Sequence, residues 1–259
     1  MKDLLKLEFR KLKRQKSFYI ILAIMVALVV LYAAVTKLFE AFIPELNEMG
    51  EGFGETISAT GVSILLGFTS SSSGNFALLT SIFVAIVVCD EYESKLIKNI
   101  FARGYSRADF YFAKFIYLIV TTSIMFLIAA ATAGISGALF FGLNGDVWKI
   151  ILLLDVQYLV CMANVAMFFA LCVIIKKLGA SIALCIFAPI LVSLVLTIID
   201  SAAEFENFNL AEYWLSSLNS NLSAITAETK TIIICAVLAV VYAIIALTAG
   251  YFVIERTEV

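Results

Sequence analysis

The sequence predicts an all-α integral membrane protein, a single transmembrane domain over residues 1–259 with six membrane-spanning helices. Three observations carry that expectation. Hydrophobic residues make up 63% of the chain and charged residues 15%, against roughly a half and a quarter in a soluble domain. Charge-poor stretches recur at the length that crosses a bilayer core, about 20 residues. Threading those stretches through a membrane gathers almost every Lys and Arg on one side.

Residues 1–16 alternate basic and apolar positions, with Leu5, Phe9 and Leu12 at helical spacing. This is the pattern of an interfacial helix lying on the cytoplasmic leaflet. The first span follows at 17–36, too long for the apolar region of a secretory signal and trailed by five more spans, so it stays in the membrane. The other spans are expected at 72–89, 115–141, 150–175, 178–199 and 231–254. In lipid each backbone amide needs an internal partner, which makes these segments helices.

The connections complete the plan. Within the external segment 37–71, residues Lys37 to Glu55 are acidic and carry Pro44, Gly50, Gly52 and Gly54, as an external loop of turns and short helix would. The uncharged window Thr56–Cys89 exceeds one helix, and the run Thr69 to Gly74 places the second span from Ser72, leaving Thr56–Phe68 as a partly buried external segment. In the third span Ala130, Gly134, Ala138 and Gly142 form a small-residue stripe at four-residue spacing, expected to pack against another helix, of this chain by default or else of a second copy. Asp155 lies near the outer face of the fourth span and is a candidate substrate position, weighed against an interface residue that reaches headgroup water. Pro189 kinks the fifth span or frees a carbonyl there. The external segment 200–230, with Tyr213 and Trp214, suits short helices lying against the bilayer.

Fifteen of the 18 Lys and Arg then fall inside, against Lys37, Lys149 and Lys230 outside. The excess of positive charge places both termini in the cytoplasm. Outside, twelve acids face those three lysines.

Absent residues exclude whole classes of chemistry. The chain has no histidine, so Ser/His/Asp triads and the commonest metal ligand are missing together. No GxxxxGK[ST] run cradles a phosphate, and the chain cannot hydrolyse ATP by that route. Cys89, Cys161, Cys172, Cys185 and Cys235 show no CxxC spacing and read as small apolar filler. The expectation is a protein that is not catalytic alone and holds no metal or cofactor.

The cytoplasmic loop 90–114 is the most informative segment. Tyr92, Leu96, Asn99 and Ile100 recur at three and four residues, acids lead and bases follow, and an amphipathic helix should end near Gly104. Ser106 can cap a second helix starting at Arg107 and running through Lys114 into the third span. The motifs Asp90-Glu91-Tyr92, Ile97-Lys98-Asn99, Gly104-Tyr105-Ser106-Arg107 and Lys114 resemble those of permease subunits of bacterial type-2 ATP-binding-cassette exporters, in particular the short peptide and lantibiotic export and immunity permeases. The six-span layout and basic N-terminal helix extend the resemblance over the chain. One departure is Lys95-Leu96, where such permeases usually have Gly-Thr.

The resemblance implies a coupling helix between the second and third spans and a cytoplasmic ATPase partner in two copies, which would hold ATP and Mg. It also implies a second permease subunit, identical or related, in a bacterial cytoplasmic membrane, with no nucleic-acid partner. Asp90, Glu91, Tyr92, Lys98, Asn99, Gly104, Tyr105, Ser106, Arg107 and Lys114 become the expected ATPase-coupling residues, and Asp155, Gly134 and Gly142 the substrate or packing positions. The expected cargo is a cationic or amphipathic peptide, or another hydrophobic substrate. The competing readings are an ion-coupled secondary transporter, for which the sequence offers no internal repeat or midplane charges, and a non-transport membrane scaffold.

Overall fold

The structure, a computed structural model, describes residues 2–12, 14–47, 60–69, 75–94, 96–102, 104–142, 145–203, 209–223 and 229–256. Its helices are α1 (Lys2–Leu12), α2 (Lys16–Asn47), α3 (Gly61–Thr69), α4 (Asn75–Glu93), α5 (Leu96–Ala102), α6 (Arg107–Phe141), α7 (Val147–Ile175), α8 (Leu178–Ala203), α9 (Leu215–Asn221) and α10 (Thr229–Arg256), with a 3-10 turn at Leu210–Tyr213. No strand occurs among the described residues. Six helices, α2, α4, α6, α7, α8 and α10, are long and apolar enough to cross a membrane. The protein is an all-α membrane protein.

The centre of the bundle is α4 and α7, whose most apolar windows are both 61% buried; those of α10 and α8 are only 17% and 6% buried. Lipid tails are as apolar as leucine, so the helices are held by close packing and by polar contacts between them more than by expulsion of water. Aromatic edges supply much of the packing: Phe76 meets Phe126 at 5.8 Å between centroids, and Phe18 meets Phe83 at the same distance. Ser123 Oγ and the Tyr158 hydroxyl, 2.7 Å apart, join α6 to α7 by a hydrogen bond.

The two ends of the bundle differ in charge. The acidic end carries Asp146, Asp200 and Glu212, and there the fold departs from the sequence expectation in three ways. First, α2 continues to Asn47, past the expected loop start at residue 37. Second, the segment expected to be partly buried is more deeply buried than that: in α3 Gly61, Val62 and every residue from Ile64 to Thr69 are covered. The expected span start at Ser72 lies outside the described residues. Third, α9 turns inward instead of lying on the bilayer: Leu215, Leu218 and Leu222 are buried against α7 and α10.

Buried Gln157 on α7 joins these pieces. Its amide nitrogen donates to the carbonyls of Leu66 (3.2 Å) and Leu222 (2.9 Å), and its oxygen accepts from the Thr69 hydroxyl (2.6 Å). One side chain therefore ties α3, α7 and α9 together, and satisfies polar groups that would be costly to leave unpaired. The Pro189 carbonyl of α8 accepts from the Trp214 indole at 3.3 Å. Asp200 accepts from the backbone amides of Leu210 and Ala211 (2.9 and 2.7 Å) and so fixes the 3-10 turn.

The expected small-residue stripe is packed within the chain only in part: Ala130 lies against the core, while nothing among the described residues comes within 4 Å of a Cβ added at Gly134, and Ala138 is exposed. The close approach uses a different face of α6: a Cβ on Gly137 would sit 2.5 Å from the Gly61 carbonyl, and one on Gly61 2.4 Å from the Gly142 carbonyl. Gly142 ends α6 at φ 73°, and its carbonyl accepts from Gly61 N at 3.2 Å. Four-residue spacing identifies a smooth face but does not say that anything covers it.

Candidate functional site

The basic end gathers α1, α5, the start of α6 and the Lys176–Lys177 turn. What the sequence presents as one loop over 90–114 divides into three parts. Asp90 to Glu93 are the last turn of α4, Arg107 to Lys114 are the first turns of α6, and only 94–106 connects them. The break at Ser94 resets the helical phase, so Ile97 is buried while Leu96 is 41% exposed, the reverse of the continuous amphipathic face expected from Tyr92 to Ile100. Gly104, at φ 86°, turns the chain after α5 in a conformation that side chains rarely adopt. Ser106 caps α6, its hydroxyl accepting from Asp109 N at 3.0 Å.

At the core of this end four charges meet. Lys114 of α6 reaches Glu91 Oε1 of α4 at 2.8 Å and Glu8 Oε2 of α1 at 3.2 Å, and Lys11 of α1 pairs with the same Glu91 oxygen. Glu91 is 2% exposed and Lys114 1%. Glu91 Oε2 is buried with no hydrogen-bond partner. Two lysines and two glutamates make the cluster neutral, which is the condition for burying charge at all. Burial raises the Glu8 carboxyl above the usual carboxylate range, against the pull of Lys114. Burial also works against the charged form of Lys11, but Glu91 outweighs it and holds the ammonium above the ordinary lysine value.

Further contacts fix α1 over this cluster. Lys114 Nζ lies 5.5 Å from the centre of the Tyr117 ring, the Tyr117 hydroxyl donates to Gln15 Oε1 at 2.8 Å, and Phe9 packs edge-on against Tyr117. The buried face of α1 is Leu4 and Glu8, rotated from the Leu5, Phe9, Leu12 stripe of the sequence reading. Glu8 and Lys11 were missed there as partners. The available signal was an acid, Glu8, at the centre of a basic helix.

The remaining sequence candidates take separate places. Arg107 donates through Nη1 to the Glu255 carbonyl at 2.8 Å, closing the last turn of α10. Tyr92 is half-buried under the Lys176 ammonium, 5.7 Å from its ring, and neighbouring Glu93 accepts from Leu178 N at 2.8 Å, capping α8. Asp90 and Lys98 are exposed, and Tyr105 is half-buried. Asn99 lies on α5, its side chain outside the described residues. Asp155 is exposed on α7, away from the core. Counting back the roughly 20 residues of a membrane span from Ile175 places it at the opposite edge of the hydrocarbon. Gln157, two residues on, is the buried polar group of that helix, and its amide within an apolar span was the legible signal.

Among the described residues no group of three acidic or thiol side chains could hold a metal ion. The five cysteines are buried and free. Between α1 and α5 lies a groove of about 780 Å³ whose lining includes buried Glu91 and the exposed Leu7 and Leu96.

A search of curated proteins finds no match to this chain. The family model described as ABC-2 family transporter protein matches residues 4–200. That stretch holds α1 from Leu4 onward, the connection 94–106 and all four members of the charge cluster. Three quarters of the sequence is thus covered, and the chain belongs to the ABC-2 family of transporter proteins.

Proposed function

We propose that this ABC-2 permease is the membrane subunit of an exporter driven by a separate ATP-binding-cassette ATPase, with its basic end and both termini in the cytoplasm. The observation that carries the reading is the position of α5. This short helix begins five residues after Glu91, and Glu91 contacts α1 and α6 through Lys11 and Lys114. A displacement of α5 by a docked ATPase reaches three helices through one carboxylate. Exposed Asp90 and Lys98 with half-buried Tyr105 offer the contact surface, and Glu91 with Lys114 passes the movement inward. Two permease subunits on two ATPases would cover the lipid-exposed faces of α8 and α10, and ATP and Mg would belong to the partner.

The cargo we assign is a cationic amphipathic peptide. Such peptides partition into the bilayer, where a permease can collect them laterally, and the twelve acids on the outer side concentrate cations within about 8 Å at physiological salt. Cells expressing the permease with its ATPase should tolerate a panel of cationic membrane-active peptides better than cells lacking it. Unchanged tolerance with an assembled complex would remove peptides as the substrate and leave lipids or hydrophobic small molecules.

A further inference from the structure

The groove between α1 and α5 shares Glu91 and Tyr105 with the proposed coupling path, but its other lining residues are not needed by that path. Its walls are apolar, with Leu4 and Leu7 on α1 and Leu96 and Ile100 on α5. It is also lined by two cations, Arg10 on α1 and Arg14 in the turn that follows α1. Lys11, Glu8 and Glu91 also face it, but with Lys114 they form the neutral cluster, so the uncompensated charge is that of the two arginines. Neither arginine has an ion-pair partner among the described residues, and both are exposed.

The height of the groove follows from the helices around it. The apolar run of α2 starts just after Lys16, and α1 docks on α6 at Lys114 and Tyr117, where the charged stretch of α6 gives way to an apolar one. The groove therefore sits at the edge of the hydrocarbon, within the headgroup layer, which adds several ångströms beyond a core of about 30 Å. A ligand there meets cations on one side and leucines on the other. Basic pockets at this depth bind anionic headgroups, while the exposed Leu7 and Leu96 match acyl chains.

We infer that this groove binds one anionic phospholipid of the adjacent leaflet, its phosphate held by Arg10 and Arg14 and its upper acyl chains laid on Leu4, Leu7, Leu96 and Ile100. The bound lipid fills the space between α1 and α5, so it bears on the two elements that flank Glu91. The inference concerns the permease chain alone and stands whether or not the exported cargo is a peptide.

The test is native mass spectrometry of the purified full chain in detergent, loaded with phosphatidylglycerol or phosphatidylcholine. The wild-type chain should keep one phosphatidylglycerol under conditions that strip phosphatidylcholine. Arg10→Gln/Arg14→Gln should weaken that retention by about 30-fold, from roughly 1 kcal/mol for each cation near an anionic surface. Lys16→Gln/Lys177→Gln removes the same charge at the same end outside the groove and should leave retention as in wild type. Thermal unfolding of each variant confirms the fold. Glycerol phosphate at millimolar concentration should not displace the lipid; displacement would assign the site to a soluble phosphate. Equal retention of both lipids by the wild type, or equal loss in both double variants, overturns the proposal. So does normal lipid retention in Arg10→Gln/Arg14→Gln with loss of ATPase co-purification, which would give the groove to the protein partner.

Discussion

Glu91 shows how one side chain can carry more structural information than its neighbourhood in sequence reveals. Read along the chain it is one acid in Asp90-Glu91-Tyr92-Glu93, followed by basic residues, and solvation is the natural expectation. In the fold it is buried between lysines from positions 80 residues before it and 23 after it. Removing one partner of a buried ion pair costs about 3–5 kcal/mol, whereas replacing the pair with apolar groups is often neutral. Glu91→Leu should therefore lower thermal stability in detergent by several degrees, and Glu91→Leu/Lys114→Met should recover at least half of that loss. Additive losses in the double variant would show that the two charges do not act as a pair. The motif singles this position out, but not its buried ion pairs, because Glu8 and Lys11 have no local sequence relation to it. Gln157 is the converse: an amide inside an apolar span is visible in sequence, yet its three partners are set by α3 and α9, whose placement is not.

The six long helices follow directly from hydropathy, since a charge-poor stretch of more than 20 residues has few alternatives in lipid. The short helices do not. Segment Gly61–Thr69 is apolar almost throughout, but its nine residues are too few to cross a bilayer, and only its packing against α6 shows where it is buried. The same applies to α9, whose Leu215, Leu218 and Leu222 are set among serines and asparagines. At the basic end, Gly104 and Ser106 were legible because turn and cap chemistry is local. Small-residue spacing was less informative, and the structure separates the two candidate faces of α6 by a direct comparison. Gly137→Ala places a methyl against the Gly61 backbone, where no flexible side chain can yield, and should cost about 1–3 kcal/mol. Gly134→Ala meets open space and should leave the permease chain's stability unchanged or slightly higher. Thermal unfolding of the two variants side by side checks this; equal destabilisation would mean that the Gly134 face is also packed.

For the whole molecule, charge and burial point to the same division of labour. The basic end combines the charge cluster, α5 and the groove, while the acidic end holds two inserted short helices fastened by an uncharged amide. Broken helices are a feature of secondary transporters, but those sites bring ions to charged or carbonyl-rich breaks, and here the described junction is Gln157 and Thr69. The weak burial of α8 and α10 leaves apolar faces for lipid or a second permease subunit. The chain has no GxxxxGK[ST] phosphate-binding loop, and under the proposed function its energy comes from a partner ATPase. The direct measurement is ATP hydrolysis in proteoliposomes containing the permease alone, the soluble ATPase alone, and both. The account predicts no hydrolysis by the permease and a clear change in the ATPase rate when the two are combined; robust hydrolysis by the permease alone, or an ATPase rate indifferent to it in a demonstrated complex, would contradict it.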